Sequence, residues 1–316
     1  MRTLTVVALA FLVAAAALAA PGATTAPAPV KQRSFPTAQA AADALVTAAE
    51  KDDVPALMEI LGPEGKDLVG SGDAVMDKNQ AAEFAKQARV KLGITPDPKN
   101  ASRATIVIGE QDWPMPIPVV KQASGWRFDT VAGKKEILYR RVGRNELDAI
   151  EVCRGYVEAQ EEYASEPRGG SKVVQYAQRV VGTADKEDGL AWRDPDGTWR
   201  GPIGEKIAQA IEEGYSSKTE PYHGYFFKIL KGQGKHAPLG TLDYVVKGIM
   251  IGGFALVAAP AEHAVTGVKS FIVSQDGVVY EKDLGPKTLD AFKAMDRFDP
   301  DPSWKVVPDD ADTKAP

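Results

Sequence analysis

The chain has 316 residues, 44% of them apolar and 26% charged, with a formal net charge of −5 and a single cysteine. That charge balance excludes the clustered Lys and Arg that a nucleic-acid partner requires, so none is expected. One cysteine excludes an intramolecular disulfide, and the length and apolar content suffice for one or two cores.

Met1 to Ala20 has the parts of a secretory signal: Arg2 at the start, an apolar run from Leu4 to Ala17, and small residues at Ala17-Leu18-Ala19 for the peptidase. Cleavage after Ala19 makes residues 1–19 a signal peptide. The mature protein is then soluble, periplasmic or secreted, with no stable transmembrane segment. An uncleaved anchor is the alternative, but the Ala-rich run barely reaches the ~20 residues that cross a bilayer. Residues 20–34, rich in Ala, Thr and Pro, read as a flexible tether.

The fold begins at Phe35, and residues 35–144 form a first module. Ala41, Leu45, Ala48 and Ala49 lie at helical spacing behind a Thr37 cap. A second helix covers Val54–Leu61 and stops at Gly62-Pro63, and a third covers Lys78–Leu92. Extended pieces follow at Ala104–Ile108, Met115–Lys121 and Trp126–Val131. Pro114, Pro116 and Pro118 confine the middle one to a sheet edge or bulge. A helical pattern then runs from Lys134 to Ser165 with a break at Gly143.

Residues 145–298 form a second module. Asn145 caps its helix, whose apolar stripe is Leu147, Ile150, Cys153, Val157 and Ala164. Cys153 on that stripe reads as a buried thiol. Glu158, Glu161 and Glu162 read as a solvated face, not a metal site. Ser171–Val181 and Ile203–Gly214 look helical. Tyr225–Leu230, Phe254–Ala259, Val268–Gln275 and Val278–Leu284 read as strands. Asp276-Gly277 has the composition of a type I′ hairpin turn. A short helix opens at Pro286, and residues 299–316, rich in Asp and Pro, read as a disordered tail.

No motif carries chemistry. His223, His236 and His263 lack zinc-ligand spacing, and no metal or other cofactor is expected. Gly232-Gln233-Gly234 and Asp194-Pro195-Asp196-Gly197 read as turns, the second having only half a calcium loop. A catalytic set is therefore not assigned. If the first module is an enzyme, Asp112 and Asp129, beside Trp113 and Trp126, are the acid/base candidates. Trp192, Trp199, Tyr215, Tyr222, Tyr225, Phe226 and Phe227 are candidates for a binding surface, with most of them expected in the core.

The stretches DWPMPIPVVK, GWRFDTVAGKKEIL, RRVGRNELDAIEVCRGYVEAQEEYA, GYFFKILKGQG and GGFALVAAPAEHAVTGVKSFIVSQDGVVYEKDLG together resemble a bacterial family of exported proteins, domain of unknown function 2950. Phe35–Val131, helices then a curved antiparallel sheet ending in GWRFDTV, is similar to NTF2-like (cystatin-like) domains, which imply a pocket. Asn145–Leu284 resembles the globular head of pseudopilins and pilins, without the apolar segment those need to polymerise. The expected fold class is α+β. The expected role is a non-enzymatic envelope protein that binds another envelope protein or an extended ligand. The alternatives are an assembly factor of a pilus or secretion machine, and a hydrolase or isomerase using the first module's pocket.

Overall fold

A computed structural model describes residues 31–69, 74–206 and 221–308. It is an α+β protein whose chain parts into two compact units, one ending at Thr130 and the other beginning at Val131. The proposed signal peptide lies outside the described residues.

In the first unit, α1 (Ala38–Glu50) starts where the Thr37 hydroxyl accepts the Ala40 N–H, and α2 (Val54–Leu61) where Asp53 accepts that of Ala56. Gly62, at φ +74°, ends α2 in a conformation that favours glycine. After α3 (Lys66–Val69) and α4 (Ala74–Val90) comes an antiparallel sheet. Its strands are β1 (Leu92–Asp97), β2 (Asn100–Ile108), β3 (Trp113–Pro114), β4 (Val119–Gln122) and β5 (Gly125–Phe128). The order is β1-β2-β4-β5, with β3 paired to β2. The prolines act as their chemistry requires: ladder pairing lapses between β3 and Val119, apart from bonds from Met115 N–H to the Ile106 carbonyl and from Asp129 N–H to the Pro118 carbonyl. Strand β1 has no counterpart in the sequence reading, because Pro96 and Pro98 mask its alternation. Ala41, Ile60, Ile106, Val119 and Phe128 form the core. Residues 32–34, expected in a tether, are pinned instead. Gln32 Nε2 donates to the carbonyls of Ile60, Leu61 and Phe128, and Arg33 N–H to that of Glu59.

Helix α5 (Thr130–Tyr163) runs unbroken through Gly143, so the expected break is absent. Asn145 is therefore inside a helix rather than at its cap. Ile150, Cys153 and Val157 are buried as the periodicity implies, but Leu147 is 64% exposed. The buried stripe runs instead through Ala149, Tyr156, Gln160 and Tyr163.

The rest of the second unit is built on strands. Trp192–Arg193 (β6) and Trp199–Arg200 (β7) form a hairpin whose turn is Asp194–Gly197, as read. The main sheet has the order β17-β15-β14-β13-β8 and is antiparallel throughout. Its members are β8 (Tyr225–Leu230), β13 (Ala255–Pro260), β14 (Lys269–Ser274), β15 (Val279–Asp283) and β17 (Lys305–Val306). Every residue of β13 is buried, as a central strand covered on both faces must be. The smaller pieces are β9 (Gly232–Gln233), β10 (Leu242–Asp243), β11 (Val245–Val246), β12 (Ile249–Met250) and β16 (Arg297–Phe298). A short helix, α6 (Thr288–Ala294), packs against β13.

Three readings are corrected here, and a fourth is met only at its start. Ser171–Val181 is not helical, since its backbone bonds to other chain segments: Tyr176 N–H donates to the Met250 carbonyl, and the Val180 carbonyl accepts the Ala191 N–H. The helix expected from Ile203 begins at Gly204, and its remainder lies outside the described residues. Gly232-Gln233-Gly234 is no turn but a buried strand segment, in which a Cβ at Gly232 would come within 2.7 Å of Arg297. The tail is ordered to Pro308, with β17 paired to β15 and Trp304 buried.

The β14–β15 hairpin forms, with Val273 opposite Val279, but its turn is not type I′. Gly277 N–H bonds to the Ser274 carbonyl, and within the turn Gly277 alone has a positive φ, +74°. That is a type I turn closed by a glycine bulge. Type I′ geometry occurs instead at His223-Gly224, with φ values of +46° and +77°, and at Lys247-Gly248, with +49° and +82°.

Candidate functional site

One end of the main sheet gathers the start of β8, the end of β13, the start of β14 and the end of β15. Two of the three histidines lie here. Tyr222 and Tyr225 exchange both backbone hydrogen bonds across the His223-Gly224 turn, which forces His223 into left-handed backbone. Its imidazole stacks on the Tyr222 ring at 4.2 Å, and its Nδ1 lies 2.7 Å from Asp148 Oδ2 on α5. A carboxylate on Nδ1 fixes the ring's orientation, the role an aspartate plays beside a working imidazole.

The loop from Ala261 to Gly267 covers the same end. Asn145 Nδ2 donates to the Thr266 carbonyl at 2.9 Å. Glu146 Oε1 accepts the N–H groups of Val268 and Lys269, at 2.8 and 3.0 Å. Gly224 must be glycine here, because a Cβ would lie 2.7 Å from the Asn145 amide. Gly267 leaves room for the Tyr225 hydroxyl, which donates to the Lys269 carbonyl at 2.8 Å. The helix thus holds the loop and the start of β14 by three side-chain bonds from consecutive residues.

Beside this loop opens a cleft of about 380 Å³. Pro260 to His263 line one wall and Pro286 to Asp290 the other. The lining mixes Pro260, Ala261, Pro286 and Leu289 with the charged Glu262, Lys287 and Asp290. His263 Nε2 lies 2.8 Å from Asp283 Oδ1, which also accepts the Gly285 N–H at 2.7 Å. The Gly285 amide first, with His263 in support, holds the Asp283 carboxyl below its ordinary range against the opposing effect of burial. Thr288 is buried with its hydroxyl on the Gly285 carbonyl, so the second wall is tied back to the same turn. Such a lining suits a polar ligand with a short apolar part, held by several directed bonds.

The remaining candidates fall elsewhere. Asp112 forms a surface ion pair with Lys91 at 2.6 Å, and Asp129 faces Arg103 at 3.6 Å. Both carboxylates are therefore engaged by cations at partly exposed positions. Trp192 and Tyr225 are core residues, which removes them from a binding surface. Trp199, Tyr222, Phe226 and Phe227 are half-buried, and Tyr215 lies outside the described residues. Phe226 packs on Phe292 of α6, with ring centroids 6.5 Å apart. His236 pairs with Asp299 at 3.1 Å, so each histidine has its own aspartate. Cys153 is fully buried, and burial pushes its thiol up to about 12. Among the described residues, no three His, Cys, Asp or Glu side chains are placed to hold a metal ion.

Sequence reasoning missed Asp148, Asp283 and the cleft walls. Asp148 is one turn beyond Asn145 on the helix, and its partner is 75 residues away, a pairing that no local pattern reveals. The one available signal was the His-Gly pair, whose glycine permits a tight turn.

No curated protein and no solved structure matches the chain. One family model, described as protein of unknown function (DUF2950), matches residues 32–307. That span takes in both compact units and every residue of the cleft, and the chain belongs to this family.

Proposed function

We propose that the protein is exported to the bacterial envelope and acts there by binding, with the strand-end cleft as its ligand site. One observation carries this reading: the cleft is walled by two loops that the fold holds from behind, one by α5 through Asn145 and Glu146, the other by Asp283 and Thr288. A held cleft with a cation, two carboxylates and an imidazole favours an extended polar ligand such as a peptide segment, because little ordering remains to be done on binding. The helices over a sheet in the first unit are in keeping with an NTF2-like module, and the helix and sheet of the second with a pilin-like head. In this account both are scaffolds.

Calorimetric titration of the processed chain with pooled tetrapeptides tests the reading. Binding heat should be lost in Lys287→Ala and Glu262→Ala, whose side chains are not part of the core. Heat that survives both changes would place the site elsewhere.

The His223–Asp148 pair favours acid–base chemistry as a second reading. Turnover of an ester or peptide substrate, abolished by His223→Ala, would establish it over binding alone.

A further inference from the structure

Strand β8 (Tyr225–Leu230) ends the main sheet on one side, with β13 along its inner edge. Successive residues of an antiparallel strand send their backbone groups to opposite edges. Tyr225 stands opposite Pro260, which has no N–H, and gives both its own backbone groups to Tyr222 on the outer side. Lys231 also turns outward: its N–H bonds to the Asp296 carbonyl, and its carbonyl accepts the Tyr244 N–H. Phe227 and Ile229 are in phase with both. Their two N–H groups and two carbonyls therefore point off the sheet, roughly 7 Å apart along the strand. Among the described residues, nothing bonds to any of the four.

This edge lacks the devices that guard others. Strand β1, an edge of the first unit's sheet, carries Pro96, and β17 is only two residues long. Strand β8 has neither a proline nor a register shift. Its one charge, Lys228, is turned to α6, where Nζ donates to the carbonyls of Phe292 and Lys293 at 2.6 and 3.0 Å. Phe227 and Ile229 share the opposite face of the strand, half-buried against the core. The opening runs over five positions, Phe226 to Leu230. Tyr222 closes it at one end, and Tyr244 and Asp296 close it at the other.

We propose that this notch takes an extended segment of another protein as an added antiparallel strand. Only an extended backbone presents donors and acceptors at the spacing that meets all four groups. Its in-phase residues lie opposite Phe227 and Ile229 and share their face, so apolar side chains suit those two positions. A second copy of β8 does not fit. The register that would join all four groups is centred on Lys228, and it sets Lys231 of the copy opposite Tyr225, where Tyr222 already stands. A tetrapeptide with free ends also falls short, because two in-phase residues out of four put a charged terminus against Phe227 or Ile229. The inference does not depend on the cleft, whose walls are other residues.

Amide exchange and ¹⁵N-edited NMR of the chain from Ala20 onward test it, with acetyl-Thr-Val-Thr-Val-Thr-amide as the probe. Without the probe, the Phe227 and Ile229 amides should exchange about tenfold faster than those of Phe226 and Lys228, which bond to β13. The probe should shift the amides of residues 226–230 saturably and slow exchange at Phe227 and Ile229 several-fold. N-methylation of both valines removes the donors that face β8 and should abolish the shifts. N-methylation of the middle and last threonines, whose N–H groups face away, should leave them within a few-fold. Three results would each overturn the proposal: Phe227 and Ile229 amides as protected as their neighbours without the probe, no shift at residues 226–230 with millimolar probe, or equal effects of the two methylation patterns. Shifts at residues 261–267 and 283–290 alone would support the cleft and equally overturn the strand edge.

Discussion

The side-chain amide of Asn145 donates to the carbonyl of Thr266 at 2.9 Å, joining the middle of α5 to a loop 121 residues further along the chain. Asn145 is 8% exposed, so the bond is shielded from water. Asn145→Ala leaves the Thr266 carbonyl without that donor and should cost about 1–2 kcal/mol. Asn145→Asp keeps the shape but turns an acceptor toward an acceptor, and should cost at least as much. Denaturant unfolding gives both values. Amide exchange across residues 262–267 should quicken in each variant, because this bond is one of the ties on the loop.

The bulge glycine of the β14–β15 hairpin gives a second test. No atom lies within 4 Å of a Cβ built at Gly277, so a substitution there meets only backbone strain at φ +74°. Gly277→Val should cost about 1–2 kcal/mol, and Gly277→Asn clearly less, since Asn tolerates left-handed backbone. Equal costs by thermal or denaturant melts would count against the turn geometry.

Cys153 should be silent toward thiol reagents in the folded protein. It is fully buried, and burial holds the thiol near 12, so almost no thiolate exists at neutral pH. Ellman's reagent should report no free thiol in buffer and one per chain in guanidinium. Rapid labelling of the native protein would contradict the packing of α5 on the sheet.

Asp283 sets a pH dependence with a definite sign. Its carboxyl is held below the ordinary value of 3.8 by the Gly285 amide first and by His263 in support. A carboxylate depressed in the folded state adds stability that is fully present above its unfolded value and is lost as pH falls through the folded one. Asp283→Asn should therefore be less stable than the parent at neutral pH, and the two melting curves should converge in strong acid. A gap that widens on acidification would reverse the assignment.

The main sheet was legible because β8, β13, β14 and β15 alternate or run apolar between clear turn residues, and their limits fall within about one residue of the expected ones. Ser171–Val181 was not legible, since Val173, Val174, Tyr176 and Ala177 have helical spacing while Tyr176 N–H bonds to β12 and the carbonyls of Arg179 and Val180 to the segment before Trp192. Both type I′ turns escaped notice because His-Gly and Lys-Gly lack the Asn or Asp that usually signals them. The cleft was hidden for a different reason. Its walls, Pro260–His263 and Pro286–Asp290, are loops that only the β13–β14–β15 pairing brings together, and Asp148 reaches His223 only through the packing of α5. Gln233 was hidden by its flanking glycines, which read as a turn but exist to let Arg297 and Asp299 approach.

The most direct measurement is a ¹⁵N-edited NMR titration of the chain from Ala20 onward with pooled tetrapeptides, followed by the same titration of Lys287→Ala. The account predicts saturable shifts confined to amides of residues 261–267 and 283–290, unchanged peptide signals after long incubation, and loss of those shifts in the variant. Shifts centred on Asp112 and Asp129, or cleavage of the peptides, would contradict a binding site at the end of the sheet.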